Sequence, residues 1–234
     1  IERETQLKEV LKIMGLNSSL HWLAWFTKSI IMLELSIIPM TILMCTSVMT
    51  PKPIFNYSSL LIIWMFFTIY ATSVITFCFL ISVIFKKSTT AGNVGSILFF
   101  ITLVPFNQLS SKFFTLPYIV KVLYCMLVNS GMGLGVTMML ITEGNEEGVH
   151  FISLFSRETD LGFSVGEVMI SMITGIIVQM LLTVYIEKVF PGDIGIPEPW
   201  HFPLNPFVKF MKKKMGYDTL INRDAILQER RRIS

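Results

Sequence analysis

Five apolar runs govern what this chain can fold into. Residues 22–49, 58–85, 91–105 and 163–189 are strongly apolar, and 116–141 is apolar but interrupted. A helix needs about 20 such residues to cross roughly 30 Å of hydrocarbon. The first, second and last of the uninterrupted runs exceed that length, so tilt or overhang is expected. Trp22 and Trp25 suit an interfacial belt at the start of the first run. Charged residues make up only 15% of the chain and mean hydropathy is +0.65, whereas a soluble domain carries roughly 25% charge. These features exclude a large soluble core and specify an all-α, multi-pass membrane protein.

The interrupted run decides the topology. Lys121 breaks its first half, and Asn129, Ser130, Gly131, Gly133 and Gly135 break its middle. Each half is too short to cross alone at about 1.5 Å per residue. Lys86-Lys87 and the C-terminal basic cluster (Lys209, Lys212–Lys214, Arg230–Arg232) are the strongest positive blocks. The positive-inside tendency puts both in the cytoplasm. An even number of crossings must then separate them. The sequence therefore predicts a re-entrant helical hairpin over 116–141, entering from outside and turning near Asn129–Gly131. Such backbone is tolerated at membrane depth only where protein or a polar cavity surrounds it. The acidic stretch 143–162 is then external, and four full crossings remain. In the alternative, the broken run crosses and the lysine tail lies outside.

Outside the spans, residues 1–15 place Leu7, Val10, Leu11 and Met14 on one helical stripe, with Glu4 and Lys8 as an i,i+4 pair. This predicts an amphipathic helix that lies on the membrane surface or against a partner. The first residue is Ile1 and no leader pattern opens the chain, so a segment of a longer protein is expected. Cys45, Cys78 and Cys125 sit singly in apolar runs, and His21, His150 and His201 are far apart, so no metal site is expected. No phosphate-loop, nucleophile-elbow or zinc-protease motif occurs, so no catalytic site is expected in this segment, nor nucleic-acid binding. Glu34 lies near the centre of its run, where a carboxylate costs about 2.5–3.5 kcal/mol on insertion scales. It is expected either to line a polar path or to bond a neighbouring helix. Glu167 is expected at the membrane interface.

The last run is followed by "VFPGDIGIPEPWHFPL", residues 189–204. Fixed φ at Pro191, Pro197, Pro199 and Pro203 stiffens such a stretch, while a plain helix stop with an ordered loop is the simpler reading. The stretch, with Trp200 in it, closely resembles the segment after the sixth transmembrane helix in subfamily A of the ABC transporters. "LKEVLKIMGLNSSLHWLAWF", residues 7–26, resembles that family's stretch before its third helix. "VNSGMGLG", residues 128–135, is similar to the turn between its two external re-entrant helices. The three matches fall in the family's order and together cover nearly the whole chain.

The resemblance implies an ABC exporter (type V-like) membrane domain. Residues 1–190 would be a partial transmembrane domain, and 191–234 a cytoplasmic linker toward a missing nucleotide-binding domain. It implies ATP and Mg bound in such domains, a second transporter half as partner, and ATP-driven movement of membrane lipids or lipid-like molecules. Glu4, Lys8, Glu9 and Lys12 would then meet the nucleotide-binding domain, and Asn129, Gly131, Gly133 and Gly135 would form an external gate turn. The rigid linker of Pro191, Pro197, Pro199, Trp200 and Pro203 would transmit motion. The rival class is a non-ATPase membrane protein such as a channel or scramblase.

Overall fold

The computed structural model describes residues 18–47, 53–85, 87–109, 116–156 and 162–190. Among them the regular structure is entirely helical: α1 (Ser18–Cys45), α2 (Leu60–Ile84), α3 (Ser88–Ile101), α4 (Val104–Leu109), α5 (Tyr118–Cys125), α6 (Val128–Gly144) and α7 (Val165–Val189). The chain divides into two compact units, residues 1–186 and 187–234. The helical bundle belongs to the first; of the second, the described residues are the end of α7 and Phe190. The predicted helix of residues 1–15 and the linker beyond Phe190 lie outside the described residues.

Helix α2 is the central element. It carries no charged residue, and buried side chains recur along its whole length from Ile62 to Val83. Helix α1 runs antiparallel to it: Trp22 packs at a tilt against Phe79 with 4.9 Å between ring centroids, Glu34 bonds Trp64 and Thr68, and the Met44 carbonyl accepts from the amides of Ile54 and Phe55. Helix α3 also runs antiparallel to α2, with Phe77 against Phe99 at 5.9 Å and Gly95 against Ile81. The outer faces of α1 and α3 stay apolar and exposed, as at Leu35, Ile97 and Phe100. Apolar side chains there suit lipid contact, where packing rather than the hydrophobic effect brings helices together.

The third run is a broken helix where the sequence predicts a short continuous one. Pro105 is the cause. It has no N–H to return to the carbonyl of Ile101, and its ring crowds that carbonyl. Helix α3 therefore stops at Ile101 and α4 restarts at Val104. Leu103 turns its amide to the Phe100 carbonyl, three residues back. A proline in the first turn of α4 is well tolerated.

The interrupted fourth run also departs from expectation. The chain bends by 112° between α5 and α6, at Met126-Leu127. Asn129, Gly131, Gly133 and Gly135, predicted as the turn, lie inside helix α6. The glycines serve close approach instead of turning. A Cβ on Gly133 would stand 2.8 Å from the Phe106 ring, and one on Gly135 would collide with the Phe66 ring. Both ends of the bent pair lie at one end of the bundle. Tyr118, the first residue of α5, packs on Phe163 beside the start of α7, and Glu143 reaches the residues before α2. The bend itself docks on α7: a Cβ on Gly175 would meet the Met126 carbonyl at 2.5 Å. Gly175 is about ten residues into α7, or roughly 15 Å at 1.5 Å per residue.

The core gathers around this pair. Ile62, Ile63 and Phe66 of α2, Leu134, Met138 and Met139 of α6, and Phe163, Val168 and Met172 at the start of α7 form one buried cluster. Helix α7 opens with a capping box: the Ser164 amide donates to Glu167 Oε2 at 2.8 Å, and the Glu167 amide to Ser164 Oγ at 3.2 Å. Glu167, predicted as merely interfacial, thus has a defined local job.

Candidate functional site

The break in the third run and the start of α6 meet in a buried polar joint. Losing the regular helix ladder frees the Phe99 and Thr102 carbonyls, and apolar surroundings offer no water to satisfy them. Asn129 and Ser130, both in the first turn of α6, supply the donors. Asn129 Nδ2 donates to the Phe99 carbonyl at 2.7 Å and to Thr102 Oγ1 at 2.9 Å. Ser130 Oγ donates to the Thr102 carbonyl at 2.6 Å. On the far side, Tyr70 of α2 donates its hydroxyl to Asn129 Oδ1 at 3.2 Å. Asn129 is 8% exposed and Ser130 fully buried. The amide's orientation follows from its neighbours: the Phe99 carbonyl only accepts, so it must face the NH₂ group.

Two further polar contacts brace the same bundle. Glu143, at the end of α6, turns its carboxylate onto the chain before α2. It accepts from the amides of Asn56 and Tyr57, the latter at 2.6 Å, from the Ser58 amide at 3.1 Å and from Ser58 Oγ at 2.6 Å. Ser58 Oγ in turn accepts from the Val149 amide at 2.9 Å, and the Ser59 amide donates to the Val149 carbonyl. Gly148 makes this possible: its φ is +63°, and a Cβ there would strike the Tyr57 backbone. Deeper in the bundle, Thr76 Oγ1 of α2 and Gln179 Oε1 of α7 are 2.7 Å apart.

Glu34 is half-buried between α1 and α2. Its Oε2 accepts from Trp64 Nε1 at 2.9 Å and its Oε1 from Thr68 Oγ1 at 2.7 Å. Of its two expected roles, the contact with a neighbouring helix is the one this geometry displays. Lys28, one and a half turns earlier, lies over the Trp25 ring at 4.7 Å. The sequence-predicted coupling residues Glu4, Lys8, Glu9 and Lys12 and the linker residues Pro191, Pro197, Pro199, Trp200 and Pro203 lie outside the described residues. Sequence reading missed Glu143, Tyr70 and Thr102 because their partners are remote in the chain. It also passed over two local signals, the Ser164-x-x-Glu167 box and the proline at 105.

Among the described residues, α1, α2, α7 and the stretch Ser88–Asn107 formed by α3 with most of α4 are long and apolar enough to cross a membrane, and the bent α5–α6 pair passes the same test together. The chain is an integral, multi-pass membrane protein. No family model matches it. Individual relatives do. It is 32% identical over 209 residues to ATP-binding cassette sub-family A member 2 of Rattus norvegicus, a match covering 87% of this chain and 8% of that protein. It is 32% identical over 206 residues to phospholipid-transporting ATPase ABCA3 of Homo sapiens, covering 88% of this chain and 12% of that protein. A third, ATP-binding cassette sub-family A member 13 of Homo sapiens, is 27% identical over 216 residues, covering 92% of this chain and 4% of that protein. The chain belongs to subfamily A of the ATP-binding cassette proteins. It spans about a tenth or less of the length of these relatives.

Proposed function

We propose that this chain is the membrane-domain part of an ATP-driven transporter that moves lipids or lipid-like molecules across or out of a bilayer. The observation that carries the reading is its likeness, over 88% of its length, to a relative named as a phospholipid-transporting ATPase. The geometry is in keeping with it. In this reading the α5–α6 pair is a re-entrant hairpin of a type V-like exporter, entering and leaving on the external side. A hairpin whose two ends share one end of the bundle and whose bend reaches about 15 Å along α7 supports that role. The buried joint at Asn129 and the close contacts at Gly131, Gly133 and Gly135 then make a rigid external gate.

Nucleotide-binding domains and a second transporter half complete the machine, and ATP with Mg is hydrolysed in those domains. Glu4, Lys8, Glu9 and Lys12 receive their motion, and the linker from Pro191 to Pro203 transmits it to α7. Glu34 ties α1 to α2 in the wall of the path. The test is reconstitution of the full-length protein in liposomes containing a fluorescent phospholipid. ATP is expected to drive lipid movement, and lipid to raise ATP hydrolysis. Lipid movement that proceeds at the same rate without ATP would establish the rival, a passive scramblase or channel.

A further inference from the structure

We infer that Asn129 is a positioning residue: it fastens the broken third span to the α5–α6 pair, so that α3 and the pair keep one fixed spacing. The inference starts from bonding capacity. An asparagine amide offers two N–H donors and an acceptor oxygen. In Asn129 both donors and the acceptor are engaged, and the partners come from two other helices, α2 and the end of α3. Thr102 makes the arrangement directional. Its hydroxyl donates to the Phe99 carbonyl at 2.7 Å, so its oxygen is left to accept from Asn129. Ser130 adds a parallel bond one residue on. A helix interrupted in an apolar environment is a natural hinge, because it has lost ladder bonds and gained free carbonyls. Here the side chains of another element take those carbonyls, and the hinge is stiffened from outside.

The contact with α7 is of another kind. At Gly175 it is a close van der Waals approach to the Met126 carbonyl, with no side chain on the glycine. Surfaces joined by packing alone can slide or part, while surfaces joined by a fully used amide cannot separate without stranding buried polar groups. The amide thus holds α3, α5 and α6 together and, through Tyr70, ties α2 to them; α2 is in turn bonded to α7 through Thr76 and Gln179, so the surface able to slide is the packed one between the bend and α7.

The test uses the full-length protein in lipid, with spin labels on cysteines replacing Ile97 of α3 and Leu123 of α5, both exposed. The distance between them is expected to be narrowly distributed and the same in nucleotide-free and ATP-trapped states. Asn129→Asp, which sets an acceptor against the Phe99 carbonyl, is expected to broaden it. Thr102→Val, which removes the hydroxyl's two bonds and keeps the shape, is the second variant should Asn129→Asp fail to fold, and is expected to broaden it too. Thr102→Ser is expected to leave it unchanged. The inference is overturned if both Asn129→Asp and Thr102→Val, or Thr102→Val alone where Asn129→Asp does not fold, stay as narrow as the parent. It is also overturned if the parent distance changes with nucleotide. A second readout rests on the transporter reading: Thr102→Val is expected to move at least about fivefold less lipid per ATP, the lower edge of usual coupling strengths, with ATP hydrolysis retained. Unchanged lipid movement per ATP in that variant counts against the joint, whereas absence of ATP-driven movement in the parent refutes the transporter reading and leaves the distance test standing.

Discussion

Replacing Glu143 by alanine should unfasten the stretch before α2 from the end of α6. The carboxylate accepts three backbone N–H groups and one hydroxyl in this structure. Hydrogen bonds to a charged group contribute about 1.5–3 kcal/mol each when nothing replaces them. Summing four such bonds would overstate the effect, because the amides of Asn56 and Tyr57 are exposed and water can take the place of the carboxylate. The Ser58 amide and hydroxyl are partly buried, and these carry most of the loss. The net cost is therefore set at about 1.5–3 kcal/mol, equivalent to one charged bond. Since 1.4 kcal/mol is a factor of ten, local opening should become about 10- to 100-fold more frequent. Hydrogen exchange of the amides of residues 56–59, followed by mass spectrometry in nanodiscs, reads that directly. Exchange should accelerate there and at Val149, whose amide rests on Ser58 Oγ, while amides in the middle of α2 stay protected. Unchanged exchange at 56–59 would show that the carboxylate is a passenger and the reasoning wrong.

Other changes test other parts of the bundle. Gly175→Leu should push the bend at Met126 away from α7 and lower thermal stability by about 1–3 kcal/mol, the usual cost of overpacking; a melting temperature equal to the parent's would refute the close packing. Ser164→Ala should cost about 1 kcal/mol by removing the cap of α7, seen as faster exchange at Val165–Val168, and Ser164→Thr should restore it. Glu34→Gln keeps one acceptor oxygen for Trp64 and Thr68 and should cost only about 0.6 kcal/mol, a typical interhelical bond in a membrane, whereas Glu34→Leu should also shift the Trp64 fluorescence; no shift would mean the indole is not held. Single cysteines at Ile152 and Lys87, both exposed, should react with an impermeant maleimide from opposite faces of the membrane. Labelling of both from one face would overturn the topology.

Much of the architecture was legible in the residues themselves. A span is a local sum: about 20 apolar residues in a row meet the thickness of the hydrocarbon, whatever they pack against. The ends of α2 and α7 accordingly fall within about two residues of the predicted runs, the usual slack at helix termini. The glycines and asparagine near 130 also marked the right element as unusual. The role of each was decided elsewhere. Gly131, Gly133 and Gly135 read as a turn because glycine turns chains, yet they are helical, with Met172 and Phe66 pressed against one side at Gly131 and Gly135 and Phe106 against the other at Gly133. Glu143 read as one charge in an acidic loop until folding brought it to Ser58. Asn129 read as a helix breaker until folding set it beside Thr102 and the Phe99 carbonyl, which the break in the third run had freed. Those partners lie between 27 and 87 residues apart in the chain. Hydropathy selects the elements because the bilayer acts on each of them separately, but a hydrogen bond needs both its ends, and only the packing of helix on helix determines which ends meet.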